Sequence, residues 1–197
     1  SVANNAIDTA VFDKIISSSD IKKDNNLITF VARIDARKNQ LNFLKAMMDT
    51  TYKIRFIGNA GPNSQSYLEE LKVLALKRGN VEFISHIAQE EVFKHMLEAK
   101  VNVLTSWIET PGLVSLEAGY AGCNIVVSDK GSVRDYFRDY AFYCNPTDLN
   151  DIKQQTIKAL NSDFKEDFRK LIREEFSWEK TALQTYEVYE RILNEKN

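Results

Sequence analysis

Leu27-Ile28-Thr29-Phe30-Val31-Ala32, followed at once by Arg33-Ile34-Asp35-Ala36-Arg37-Lys38, is the stretch on which the fold turns. A near-continuous run of β-branched and aromatic residues fits a strand buried on both faces better than a half-exposed antiparallel one. The polar, basic segment behind it leads into Leu41, Leu44, Met47 and Met48, which recur at helical spacing. Strand, short loop and helix in that order make half of a βαβ unit.

The pattern repeats outward. Apolar runs at 54–57, 81–84, 101–104, 124–127 and 141–144 alternate with helical stretches such as Tyr67, Leu68, Leu71, Leu74 and Ala75. Such alternation requires crossover connections and a parallel sheet covered on both faces. The fold class predicted is therefore α/β: a doubly wound, Rossmann-like, mostly parallel sheet with helices on both faces and C-terminal helices. From Asp148 onward the strand signal stops, and 148–160, 164–175 and 178–193 read as helices. Thr147 or Asp148 caps the first and Ser177 the third. Trp178, Leu183, Tyr186, Tyr189 and Ile192 line one face of the last helix and are expected to pack into a core. Residues 1–26, with their SSSD and KKDNN clusters, read as loop. The organisation expected is an inter-domain connecting segment (1–26), a ligand-binding domain (27–160) and closing helices packed on it and on an N-terminal domain missing from this chain (161–197).

Composition narrows the function. The 197 residues suffice for one compact core, and a net charge of -2 argues against nucleic acid as a partner. Cys123 and Cys144 have no metal-ligand spacing and read as reduced, partly buried thiols. No apolar run approaches the roughly 18 residues of a membrane span, and no signal peptide is evident. A cytoplasmic location is expected, with membrane association open for a longer protein.

In open α/β sheets, ligands bind beyond the carboxyl ends of the strands. After the first strand, Arg33 and Lys38 stand before a helix whose free amides already favour an anion. A planar fork and a point charge together suit a diphosphate; a solvated cluster paired with Asp35 is the plainer alternative. Gly58, in Gly58-Asn59-Ala60-Gly61-Pro62, lies in a turn that could admit backbone to a ligand. After the fourth strand, Glu109 lies in a loop and Pro111-Gly112 opens a helix bearing Glu117. A carboxylate accepts two hydroxyl hydrogen bonds at once, as a sugar diol requires. The alternative is one helix-start glutamate and one exposed glutamate. The dinucleotide fingerprint, the P-loop and the nucleophile elbow are all absent. His86 and His95 show no metal spacing.

These residues resemble a known family. NNAIDTAVF (4–12), VARIDARKN (31–39), FIGNAGP (56–62), VEFISHI (81–87), the segment from Glu109 to Phe137 and FSWEKTALQTYEVYERIL (176–193) are similar, in order, to the C-terminal domain of retaining group 1 glycosyltransferases. That family has two facing Rossmann-like domains, the GT-B architecture. The resemblance implies a donor-binding domain that serves transfer of a sugar from a nucleoside diphosphate sugar to a glycan or lipid-linked acceptor. Arg33 and Lys38 would neutralise the diphosphate, with Gly58 in the turn beside it. Gly112, Leu113 and Val114 would offer amides near phosphate or sugar. Glu117 would hold the ribose, Glu109, the catalytic candidate, the donor sugar, and the backbone at His86 and Ile87 the base. No metal or other cofactor is expected. The acceptor site would lie in an N-terminal domain, without which the chain is expected to be inactive. Polysaccharide biosynthesis is the pathway that family habit suggests. Ala32, Asn39 and Ser85 depart from family glycines, and Thr110-Pro111 from the common Gly-Phe, which leaves the sugar open. The alternatives are half of a sugar-nucleotide 2-epimerase and a non-catalytic nucleotide- or carbohydrate-binding adaptor.

Overall fold

A computed structural model describes residues 4–194. Six strands form one sheet: β1 Asp24–Val31, β2 Lys53–Ile57, β3 Val81–Ile84, β4 Ala99–Leu104, β5 Asn124–Ser128 and β6 Ala141–Cys144. Their order is β3-β2-β1-β4-β5-β6, and every neighbouring pair is parallel. The helices are α1 Thr9–Ser17, α2 Gln40–Ala46, α3 Gln65–Arg78, α4 Gln89–Glu98 and α5 Leu113–Tyr120. They continue with α6 Val133–Phe137, α7 Leu149–Leu160, α8 Glu166–Glu175 and α9 Trp178–Asn194.

Because side chains alternate along a strand, β1 feeds two separate apolar layers. Leu27 and Val31 join Phe12, Phe93, Leu116, Tyr120 and Phe168 on one face of the sheet. Ile28 and Phe30 join Phe43, Leu44, Phe56, Leu71 and Ile152 on the other. Each large side chain fully withdrawn from water contributes about 1.5–3 kcal/mol, so a strand buried on both faces stabilises both layers at once. Strand order reverses between β1 and β4, and there the two loops leaving the sheet diverge to form a crevice.

Two expectations are corrected. Residues 9–17 are a helix rather than loop. Asp8 Oδ1 accepts from the Val11 N–H at 3.0 Å and caps it. Thr9, Phe12 and Ile15 are buried, and Phe12 stacks on Phe93 with centroids 4.0 Å apart. The three-residue spacing was present, but over so short a span the flanking polar clusters masked it. Asp24, Asn25 and Asn26 likewise belong to β1, not to a loop.

The second correction concerns α9. Trp178, Leu183, Tyr186, Tyr189 and Ile192 are 44–63% exposed and pack into neither layer. Periodicity reports an apolar face; it does not report which body covers it. The start of the helix is tied down instead, by Ile7 N–H donating to Phe176 O (2.9 Å) and Thr181 Oγ1 donating to Asn4 O (2.8 Å). Asp148, not Thr147, caps α7, accepting from the N–H groups of Asn150 and Asp151 at 2.9 and 3.2 Å. Both cysteines are fully buried and unpaired, deeper than expected. No helix among the described residues is long and apolar enough to cross a membrane. Expectations for residues 1–3 and 195–197 lie outside the described residues.

Candidate functional site

The site is built from the loops that leave β1 and β4. Behind β1, Ala36–Lys38 forms a 3-10 turn, and Asp35 caps it by accepting from the Arg37 N–H at 2.9 Å. Asn39 has φ 65 and ψ 28, a left-handed conformation that asparagine tolerates better than most residues. It is a conformation that glycine also adopts readily. Asn39 Nδ2 donates to Thr105 O (3.1 Å) and Pro146 O (2.9 Å), fastening the β1 loop to the ends of β4 and β6.

That fastening carries Lys38 to Glu109. Lys38 Nζ donates to both carboxylate oxygens, at 2.8 and 3.2 Å, with side chains only 24% and 15% exposed. Glu109 is held from behind by the loop after β5. Its N–H donates to Lys130 O and its carbonyl accepts from Ser132 N–H, both at 3.3 Å. Arg33 is 53% exposed, and its Nε stands 3.6 Å from Asp35 Oδ2. Burial alone would raise the Asp35 carboxyl, but hydrogen bonds from Arg37 and the charges of Arg37 and Arg33 outweigh it and hold it below the usual carboxylate range. Asp35 thus stays ionised and orients Arg33. Pairing with Asp35 and a place on the cleft wall coexist.

Arg33, Lys38, Glu109, Gly112, Leu113 and Val114 line one cleft of about 360 Å3. Gly112 is the N-cap of α5, so the free amides of that helix's first turn open at the cleft. The arrangement offers two cations, a helix N-terminus and one neutralised carboxylate at the point where strand order reverses. It suits a polyanion joined to a hydroxyl-bearing group.

The other candidates stand around this cleft rather than in it. Glu117, one turn along α5, is half-buried, and its Oε1 accepts from Gln89 Nε2 at 2.9 Å. Burial pushes its carboxyl above the usual range, and the bond from Gln89 partly offsets that. His86 is exposed with φ 57, and its N–H donates to Asn59 Oδ1 at 3.1 Å. Ile87 is half-buried against the layer that contains Phe93. Gly58 donates to Ile84 O at 2.8 Å, and a Cβ there would come 2.1 Å from Ala32 O. Its geometry serves the close crossing of the β1 and β2 loops.

A raised carboxyl means the folded state holds that proton more tightly than the unfolded chain. Stability is then full below the usual carboxylate range and declines as pH rises through the raised value. Glu117→Gln is therefore expected to raise the melting temperature at pH 8 and to have a smaller effect at pH 4. Thermal unfolding at the two pH values checks this, and equal shifts would contradict it.

Sequence reading missed Gly131, Gln89 and the bridging role of Asn39. Gly131, φ 90, lets the β5 loop lie against Glu109 so closely that a Cβ would sit 2.1 Å from Glu109 O. An Asp-Lys-Gly turn after an apolar run was a usable signal for it. Gln89 carried none, because its partner lies 28 residues away on another helix.

Fold and cleft together define a Rossmann-like α/β domain with an anion-suited site at the switch point of its sheet. The chain belongs to the family described as glycosyl transferases group 1, which matches residues 11–176. It is similar to alpha-maltose-1-phosphate synthase of Mycolicibacterium smegmatis, at 24% identity over 97% of this chain and 56% of that protein. Among solved structures it resembles sucrose-phosphate synthase from Thermosynechococcus elongatus (20% identity, TM-score 0.83, covering 98% of this chain and 53% of that one). It also resembles Anabaena HepE, solved in complex with UDP and glucose (16%, TM-score 0.76, 96% and 56%). These structural likenesses concern the fold. The chain spans about half the length of the curated relatives it matches.

Proposed function

We propose that this chain is the donor-binding domain of a retaining glycosyltransferase that takes a nucleoside diphosphate sugar. The observation that carries the reading is the Lys38–Glu109 pair, with Arg33 beside it, inside the cleft at the mouth of α5. As the sugar leaves, negative charge gathers on the diphosphate. Arg33, Lys38 and the amides of Leu113 and Val114 are fixed in place to meet it, so no metal is required. Lys38 has a third N–H beyond the two directed at Glu109, and that donor serves the phosphates. Glu109, held in position by Lys38, takes the hydroxyls of the donor sugar. Glu117 takes the ribose, and the backbone of residues 86–87 takes the base.

The acceptor, a glycan or lipid-linked sugar, belongs to the half of the relatives' length that this chain does not span. The exposed stripe on α9 is the surface we assign to that half. Transfer needs donor and acceptor held together in a closed, water-poor cleft, so the chain by itself binds donor but transfers nothing. Calorimetric titration with UDP, ADP, GDP and UDP-glucose tests this. Open to water on one side, the charged contacts are screened, and binding of about 10 µM or weaker is expected. Absence of binding by all four at millimolar ligand would overturn the reading, and sugar transfer by the chain alone would overturn its division of labour.

A further inference from the structure

Gln89 is the first residue of α4, and Glu117 lies in the second turn of α5. The two helices follow different strands, yet Gln89 Nε2 reaches Glu117 Oε1 at 2.9 Å. Among the described residues, this is the one side-chain hydrogen bond to Glu117. Gln89 is itself exposed and holds up no core. An exposed glutamine that fixes a half-buried carboxylate across two helices calls for a reason beyond packing.

We propose that Gln89 positions the Glu117 carboxylate, so that a nucleotide ribose is recognised by the Gln89–Glu117 pair rather than by Glu117 alone. The inference rests on the donor-binding reading above. An ionised carboxylate has about four lone-pair sites. Gln89 occupies one on Oε1, leaving Oε2 and the other Oε1 lone pair to accept two vicinal hydroxyls. The same bond fixes the side-chain torsions before ligand arrives, removing an ordering cost from binding. Burial favours the protonated form of Glu117, which could accept fewer bonds; the amide of Gln89 favours the ionised, acceptor-only form. Gln89 also lies two residues beyond Ile87, so it links the loop assigned to the base with the carboxylate assigned to the ribose. In a nucleotide those two groups are covalent neighbours.

The test compares the 197-residue chain with its Gln89→Ala, Gln89→Glu and Glu117→Ala variants. Each is titrated with the tightest-binding of UDP, ADP and GDP, with the 2′,3′-dideoxy counterpart of that ligand, and with inorganic pyrophosphate. Gln89→Ala is expected to cut the preference for ribose over dideoxyribose about five- to tenfold while leaving pyrophosphate affinity unchanged. Gln89→Glu should cut it further, because a like charge replaces the donor. Glu117→Ala should abolish the preference. If Glu117→Ala abolishes it and Gln89→Ala leaves it intact, Gln89 has no positioning role. Should Glu117→Ala leave it intact, the ribose assignment fails, and Gln89 fails with it. A Gln89→Ala variant that loses all three ligands equally would mark a general structural defect and would also overturn the proposal.

Discussion

Lys38→Ala is expected to weaken binding of a nucleoside diphosphate by about 10- to 100-fold, the worth of one charge-assisted hydrogen bond partly shielded from water. The substitution removes the cation that stands deepest in the cleft, less than half as exposed as Arg33. It also strands Glu109, whose side chain is largely withdrawn from water. Leaving that group without its partner costs about 1–3 kcal/mol of folding free energy. The two effects separate in the double variant Lys38→Ala/Glu109→Gln. Removing the stranded charge should restore stability, while affinity for the diphosphate stays low. Calorimetry and urea unfolding on the same samples read both. Unchanged affinity in Lys38→Ala would remove Lys38 from the phosphate site.

Gly131→Ala is expected to destabilise the chain by roughly 3 kcal/mol, from a left-handed φ and a collision with the Glu109 backbone that can be relieved only by displacing it. For a domain of this size, that lowers the melting temperature by about 6–12 °C. The atoms that would collide are the carbonyl oxygen, carbonyl carbon and nitrogen of Glu109, at 2.1, 3.0 and 3.2 Å. The substitution should therefore also push Glu109 off Lys38 and weaken binding of a nucleotide sugar more than that of the nucleotide without its sugar. A variant that melts like the parent would show that the β5 loop is not pressed on Glu109.

The strands were legible because each is a short run dominated by β-branched and aromatic residues, near-continuous in the interior strands β1 and β5 and interrupted by a polar residue in β2, β3 and β4. Residues 81–84 and 141–144 were read with the bounds the structure shows. Strand order was legible only as a class, since parallel pairing leaves no local mark of which strand lies beside which. Arg33, Lys38 and Glu109 could be singled out by their place after apolar runs, and the fold brings them to one cleft. Their pairing could not be read. It depends on Asn39 reaching Thr105 and Pro146, contacts that span 66 and 107 residues. Glu117 shows the limit from the other side. Spacing placed it on the right helix, but its displacement toward Gln89 depends on how α4 packs against α5. The helix α1 and the exposed stripe of α9 share one lesson. A short amphipathic pattern folds as a helix yet is hard to see between polar clusters, and a long one is silent about its partner.

Every role proposed for these residues requires that a nucleoside diphosphate bind in the crevice between the β1 and β4 loops. Amide NMR of the 15N-labelled chain, titrated with the tightest-binding nucleoside diphosphate, tests it most directly. Shifts are expected at residues 33–38 and 109–117, with a second group at 86–89 where the base would rest. Shifts confined instead to the hollow walled by Tyr140, Phe142 and Phe164, where β5 and β6 begin, would contradict the account.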